Sequence, residues 1–134
     1  MDSIELTIRT GDEPAVVDIT GEVAVFCRDR GDGLVSVFVP HATAGVAVME
    51  TGAGSDTDLL AALAELLPRD GRWGHRHGSP GHGADHVLSL LVPPSLTVPV
   101  MGGQLGLGTW QSICLLDPNP DNAQRTVRLG FLAG

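Results

Sequence analysis

Ser3-Ile-Glu-Leu-Thr-Ile-Arg9 alternates polar and apolar side chains, the two-residue period of a strand with one buried face. Asp12-Glu-Pro14 makes a turn, and Ala15-Val-Val-Asp-Ile19 predicts a second short strand. Thr20 can cap a helix with apolar positions at Val23, Phe26 and Cys27, although Val23, Val25 and Phe26 would also suit a strand. After the Gly31-Asp-Gly33 turn, Leu34-Val-Ser-Val-Phe-Val39 is apolar at nearly every position. That run predicts a central strand buried on both faces. Val46-Ala-Val-Met-Glu50 predicts another strand, with Gly45 as the bend before it.

Ser55-Asp-Thr-Asp58 opens the clearest helix. Ser55 is the expected cap, Asp58 completes a capping-box-like pair, and Leu59, Leu60, Leu63, Leu66 and Leu67 share one face before Pro68. Val87 to Val92 resumes apolar structure after a glycine-rich loop, and Ser95-Leu-Thr-Val-Pro-Val100 alternates as a strand, with Pro99 marking an edge. Gly102-Gly103 reads as a hairpin turn. Ser112–Asp117 and Thr126–Leu132 are expected to pair as an antiparallel hairpin across Pro118-Asn-Pro-Asp-Asn122, a stretch of turn chemistry. The chain therefore reads as one α+β domain, mostly antiparallel, with one or two helices.

With 134 residues and 43% apolar content, the chain is long enough for a real core. Its 8 basic residues, all arginine, against 16 acidic ones give a net charge of −8. Phosphate backbones and anionic lipid repel such a chain, so neither nucleic acid nor membrane is an expected partner. Cys27 and Cys114 form no CxxC pair and read as buried free thiols. No apolar run approaches a membrane span, and the acidic start Met-Asp-Ser-Ile-Glu is unlike a signal peptide, so a cytoplasmic protein is expected.

Four of the 5 histidines lie between His75 and His86 in a glycine-rich stretch, and the fifth, His41, closes an apolar strand. Imidazole suits metal ligation and proton transfer near neutral pH. His75 and His77 point the same way in extended chain, and His82 and His86 have the spacing of two ligands on one helical face. Gly81 and Gly83 disfavour a helix there, so that pairing depends on one starting near His82. A solvated, His-rich loop accounts for the same spacing. Glu50 and His41 would put an acid and a base at neighbouring strand ends. Asp58 is also explained by its place in the first helical turn, and Gln111 by a strand position.

Taken in order, His41-Ala-Thr-Ala-Gly45, Glu50, Asp58-Leu-Leu60, His75, Ala84-Asp-His86, Ser95-Leu-Thr-Val-Pro99 and Leu107-Gly-Thr-Trp-Gln111 resemble the YjbQ-like family across nearly the whole chain. The resemblance implies a β-sandwich-like core, a homotrimer and a histidine-built metal site near a subunit boundary. Some members are similar to thiamine-phosphate synthases, which join a pyrimidine diphosphate to a thiazole phosphate. Carried over by position, His41, His75 and His86 are the implied metal ligands, for a divalent ion such as zinc. Glu50, Asp58, Gln111 and Arg125 are the implied catalytic positions. Three positions depart from the pattern: His82 stands where the family has Asn, Thr51 follows the strand-end Glu, and Ala42 follows the first His.

The leading expectation is a metal-associated enzyme acting on a small phosphorylated molecule, with Arg125 helping the ion to neutralise phosphate. A metal-assisted hydrolase and a non-catalytic trimeric metal- or ligand-binding module are the alternatives.

Overall fold

The computed structural model describes residues 1–134. Its strands are β1 (Asp2–Arg9), β2 (Ala15–Asp18), β3 (Gly33–Phe38), β4 (Gly45–Met49), β5 (Ser95–Met101), β6 (Gln104–Leu105), β7 (Ser112–Asp117) and β8 (Gln124–Ala133). Two α-helices, α1 (Thr20–Cys27) and α2 (Ser55–Leu66), and one tightly wound 3-10 helix, His82–Leu90, complete the chain. All strand pairs are antiparallel, in a five-stranded sheet ordered β1-β8-β3-β5-β6 and a three-stranded sheet ordered β2-β7-β4. No helix is long and apolar enough to cross a membrane.

The two sheets share one core, as expected of a sandwich. Val35, Val37, Val98, Val100, Val127 and Leu129 from the larger sheet meet Val46, Ile113 and Leu115 from the smaller one, with Val23, Phe26 and Cys27 of α1 among them. The far face of the smaller sheet is covered too. Cys114 and Leu116 pack with Leu63 of α2 and with Leu88 and Val92 of the 3-10 helix region. The strand buried on both faces is therefore β7, not β3. In β3 only Val35 and Val37 are buried, while Leu34 and Phe38 are exposed. Leu34 and Phe38 lie on the outer face of a sheet that has a second layer on one side only.

A second expectation also changes. β7 and β8 form no hairpin: β7 pairs with β2 and β4, whereas β8 pairs with β1 and β3. Residues 118–122 cross from one sheet to the other. Pro118 and Pro120 bring no N–H to a ladder, which suits a crossing better than a paired turn. Two capping expectations are replaced as well. The residue ahead of α2 is Gly54 in the left-handed conformation, with Ser55 already helical and no side-chain cap. Thr20 instead ties α1 to β7, its Oγ1 accepting from the Ile113 N–H at 2.8 Å. The edge position expected of Pro99 holds locally: on one side it lies opposite Leu34 of β3. On its other side β6 pairs only with Val100 and Met101, so the missing N–H breaks no ladder there.

Cys27 and Cys114 are buried and free. Burial first, then the carboxylates of Asp18 and Asp56, pushes the Cys114 thiol up to about 12, which makes it an inert packing group.

Leu116 is fully buried where the helical layer sits on β7. Leu116→Ala is expected to lower stability by about 2–5 kcal/mol through lost burial and a residual cavity. A urea denaturation midpoint measures the loss.

Candidate metal centre

The segment between α2 and the 3-10 helix is folded back on Arg69. The Arg69 guanidinium pairs with the buried Asp85 carboxylate, and its Nη2 donates to Ser79 Oγ at 2.9 Å. Trp73 Nε1 donates to the Pro68 carbonyl at 2.8 Å, closing the first bend. Gly81 has φ +78°, and a Cβ there would lie 2.5 Å from the Arg69 backbone, so only glycine fits this approach. The chain leaves Gly81 directly into the 3-10 helix, with His82 first and Leu88 seated in the core against Leu116. A helix does begin at His82, but it is a 3-10 helix, in which residues four apart do not share one face. The approach of His82 and His86 comes from this local geometry rather than from α-helical spacing.

His75, His82 and His86 converge, their ligand nitrogens all within 4.8 Å of one another. The Nε2 atoms of His82 and His86 face each other at 2.9 Å. Ring centroids are 3.9 Å apart for His75 and His86 and 5.5 Å for His75 and His82. His75 is half-buried as a residue, yet its Nε2 is shut off from solvent and has no hydrogen-bond partner. Such an orphaned atom is costly unless something else satisfies it.

His82 is buried, and its Nδ1 lies 2.8 Å from Asp121 Oδ2 and 3.7 Å from Asp85 Oδ2. The shorter contact is at ion-pair distance without hydrogen-bond alignment, so Nδ1 also counts as unpartnered. Burial, followed by the neighbouring imidazoles, holds the pKa values of His75 and His86 below the usual imidazole range. Neutral imidazole is the form that ligates a metal.

These groups fit a divalent ion. Nitrogens bound to one tetrahedral zinc lie about 2.0–2.1 Å from it and hence about 3.3 Å from each other. The 2.9 Å separation of one pair is close to that value, and with all three nitrogens within 4.8 Å of one another only small ring movements are needed to surround an ion. The orphaned His75 Nε2 gives the same indication. His77 lies edge-on beside the group, its ring centroid 3.9 Å from that of His75, but contributes no atom to the converging set.

The other expected site residues lie elsewhere within the chain. His41 does not join the three imidazoles; its Nε2 accepts the Thr126 N–H at 2.9 Å. Burial and then the Arg125 charge keep its pKa low, with Asp117 opposing, consistent with a ring that must stay neutral to accept. Arg125 is buried and already engaged. Its Nε and Nη2 donate to the two Asp117 oxygens at 2.8 and 2.9 Å, and Nη2 also donates to Thr43 Oγ1 at 2.9 Å. A guanidinium so paired is not free to neutralise a phosphate, which corrects the role expected for it. Glu50 and Asp58 are exposed, and neither belongs to the set around the imidazoles. Gln111 Oε1 accepts from Gly108 N at 2.8 Å and closes its own turn.

Three residues that carry much of this architecture gave little sign of it beforehand. Asp117 read only as a strand end, and Asn119 and Asp121 belong to a stretch that read only as turn chemistry, yet Asp117 and Asn119 are buried. Asn119 Nδ2 donates to Thr43 Oγ1 at 2.9 Å, and its Oδ1 accepts from Asp121 N at 2.7 Å. The prolines on either side of Asn119 were the available signal, since a hairpin turn does not need two residues without donors.

Beside the imidazoles opens a cleft of about 410 Å3, lined by residues including Arg69, Trp73, His75, Arg76 and His82. Arg69 is committed to Asp85, and Arg72 to Asp70. Arg76 has no carboxylate partner and donates only to the Gly71 carbonyl at 3.3 Å.

The molecule is thus an antiparallel two-sheet α+β protein carrying a convergent histidine cluster on a helical outer layer. The chain belongs to the YjbQ/UPF0047 family: the model described as UPF0047 protein YjbQ-like matches residues 4–134. A UPF0047 protein of Mycobacterium tuberculosis is 59% identical over 134 residues, covering 100% of both chains. UPF0047 protein YugU of Bacillus subtilis is 37% identical over 115 residues, covering 81% of this chain and 83% of its own. The crystal structure of a hypothetical protein from Aeropyrum pernix K1 superposes with a TM-score of 0.89 at 33% identity, covering 100% of each chain.

Proposed function

We propose that the chain binds a divalent metal ion, zinc in the first instance, through His75, His82 and His86, and acts on a small phosphorylated molecule. The observation that carries this reading is the convergence of the three imidazoles with a buried, unpartnered His75 Nε2. A bound ion supplies Lewis-acid stabilisation of charge on phosphate oxygens. The uncommitted Arg76 guanidinium in the adjoining cleft supplies a cation for an anionic group. Family resemblance makes thiamine-phosphate-synthase-type condensation the first activity to assay, with hydrolysis of phosphate esters second. It also supports assembly as a homotrimer, and the exposed apolar pair Leu34 and Leu132, directly opposite in register, offers surface for it.

A binding module without turnover is the second reading. It is favoured by the absence of Glu50, Asp58 and Gln111 from the imidazole cluster. The protein purified without chelator and without added metal is expected to carry close to one equivalent of metal per chain by elemental analysis. Metal-free protein that takes up neither zinc nor cobalt refutes the metal-centred reading. Metal binding with no turnover of either substrate class selects the module.

A further inference from the structure

A histidine that ligates through one ring nitrogen is normally oriented through the other, whose N–H faces a carboxylate, carbonyl or water. In His82 the Nε2 faces His86, and the Nδ1 lies 2.8 Å from Asp121 Oδ2, close enough for an ion pair though not aligned as a hydrogen bond. Asp85, the other carboxylate nearby, is 3.7 Å from that Nδ1 and is engaged by Arg69. Asp121 is itself held from two directions. Its Oδ2 accepts the Ser79 N–H at 3.1 Å, and its own N–H donates to Asn119 Oδ1 at 2.7 Å. Asn119 is buried and bonded to Thr43 Oγ1 and Asp117 Oδ1, so the turn is anchored in the Arg125–Asp117 pair.

Gly78 leaves room for this contact on one side. A Cβ on Gly78 would come 2.8 Å from Asp121 Oδ2 and 2.9 Å from the His82 ring. Asp121 is exposed as a residue, yet its carboxylate is turned inward between the Ser79 amide and the buried His82 ring.

We propose that Asp121 is a positioning residue for the metal centre. It holds His82 as the Nδ1–H tautomer, with the Nε2 lone pair directed at the ion, and the Asn119–Thr43 bond sets Asp121 in place. The proposal rests on the metal-centred reading above and adds a residue that touches no ion itself.

Cobalt(II) titration of the metal-free full-length protein, followed by its visible absorption, tests it. Asp121→Ala is expected to weaken cobalt affinity 10–100-fold and to shift the absorption band. Asp121→Glu is expected to recover much of both, while Asp12→Ala, in a remote turn, leaves both unchanged. Asp121→Ala with wild-type affinity and spectrum would overturn the proposal. So would a loss of affinity matched by an equal fall in the urea midpoint of the metal-free protein, which makes Asp121 a folding residue only. If the unmodified chain itself binds no cobalt, the metal-centred reading fails, and the contribution of Asp121 fails with it.

Discussion

His82→Ala is expected to reduce metal affinity by more than about 100-fold, beyond what is typical for losing an outer partner of a ligand. His41→Ala is expected to leave metal affinity near wild type. The contrast arises because His82 Nε2 sits 2.9 Å from His86 Nε2, while His41 Nε2 is occupied by the Thr126 N–H. Motif position pairs His41 with His75 and His86, whereas geometry within one chain replaces it with His82. Isothermal titration with zinc on both variants decides between these sets. Retention of metal by His82→Ala together with its loss in His41→Ala would restore the motif-based set. His82→Ala also removes a buried ring whose Nδ1 faces Asp121, so circular dichroism on the metal-free variant must accompany the titration.

Arg125→Met is expected to cost about 3–5 kcal/mol, because it strands a buried carboxylate without its cation. Asp117 and Arg125 have side-chain exposures of 1% and 2%, and both Asp117 oxygens accept from the guanidinium. Thr10 Oγ1 donates to Asp117 Oδ2 at 2.6 Å, and Asn119 N to Oδ1 at 3.0 Å. Those bonds remain in the variant but bring no charge. A domain stability of about 5–15 kcal/mol loses a large share in such a change. Urea denaturation with and without zinc measures it, and a loss below about 1 kcal/mol would show the pair to be dispensable. The pair joins the end of β7 to the start of β8 across the crossing segment, so the variant is also expected to loosen the turn that presents Asp121.

Much of the fold is legible in the chain. Period-two alternation placed β1 and β5, the leucine stripe placed α2, and the glycine pair placed the β5–β6 turn. These features are local: each follows from which side chains one short segment must hide. Which strands pair is a different matter. β7 and β8 look like hairpin partners, and their separation into two sheets goes with burial on both faces of β7, while the Arg125–Asp117 pair ties the two strand ends across the crossing. The near-continuous apolar run of β3 likewise says nothing about how many layers cover it, and the second layer turns out to lie over β7.

The candidate site divides in the same way. Residue chemistry alone singled out the segment from His75 to His86, because few other side chains ligate metal at neutral pH. Family pattern marked His75 and His86 and flagged His82 as an oddity. Only the tertiary structure decided that His82 faces His86 and that His41 is spent on a backbone amide. Convergence of imidazoles depends on the left-handed bend at Gly81, the Arg69–Asp85 clamp and the packing of Leu88 on β7. Those contacts join segments distant in sequence, so spacing along the chain carries no record of them. The sequence determined which groups are able to bind an ion, and the packing of the outer helical layer on β7 decided which of them meet.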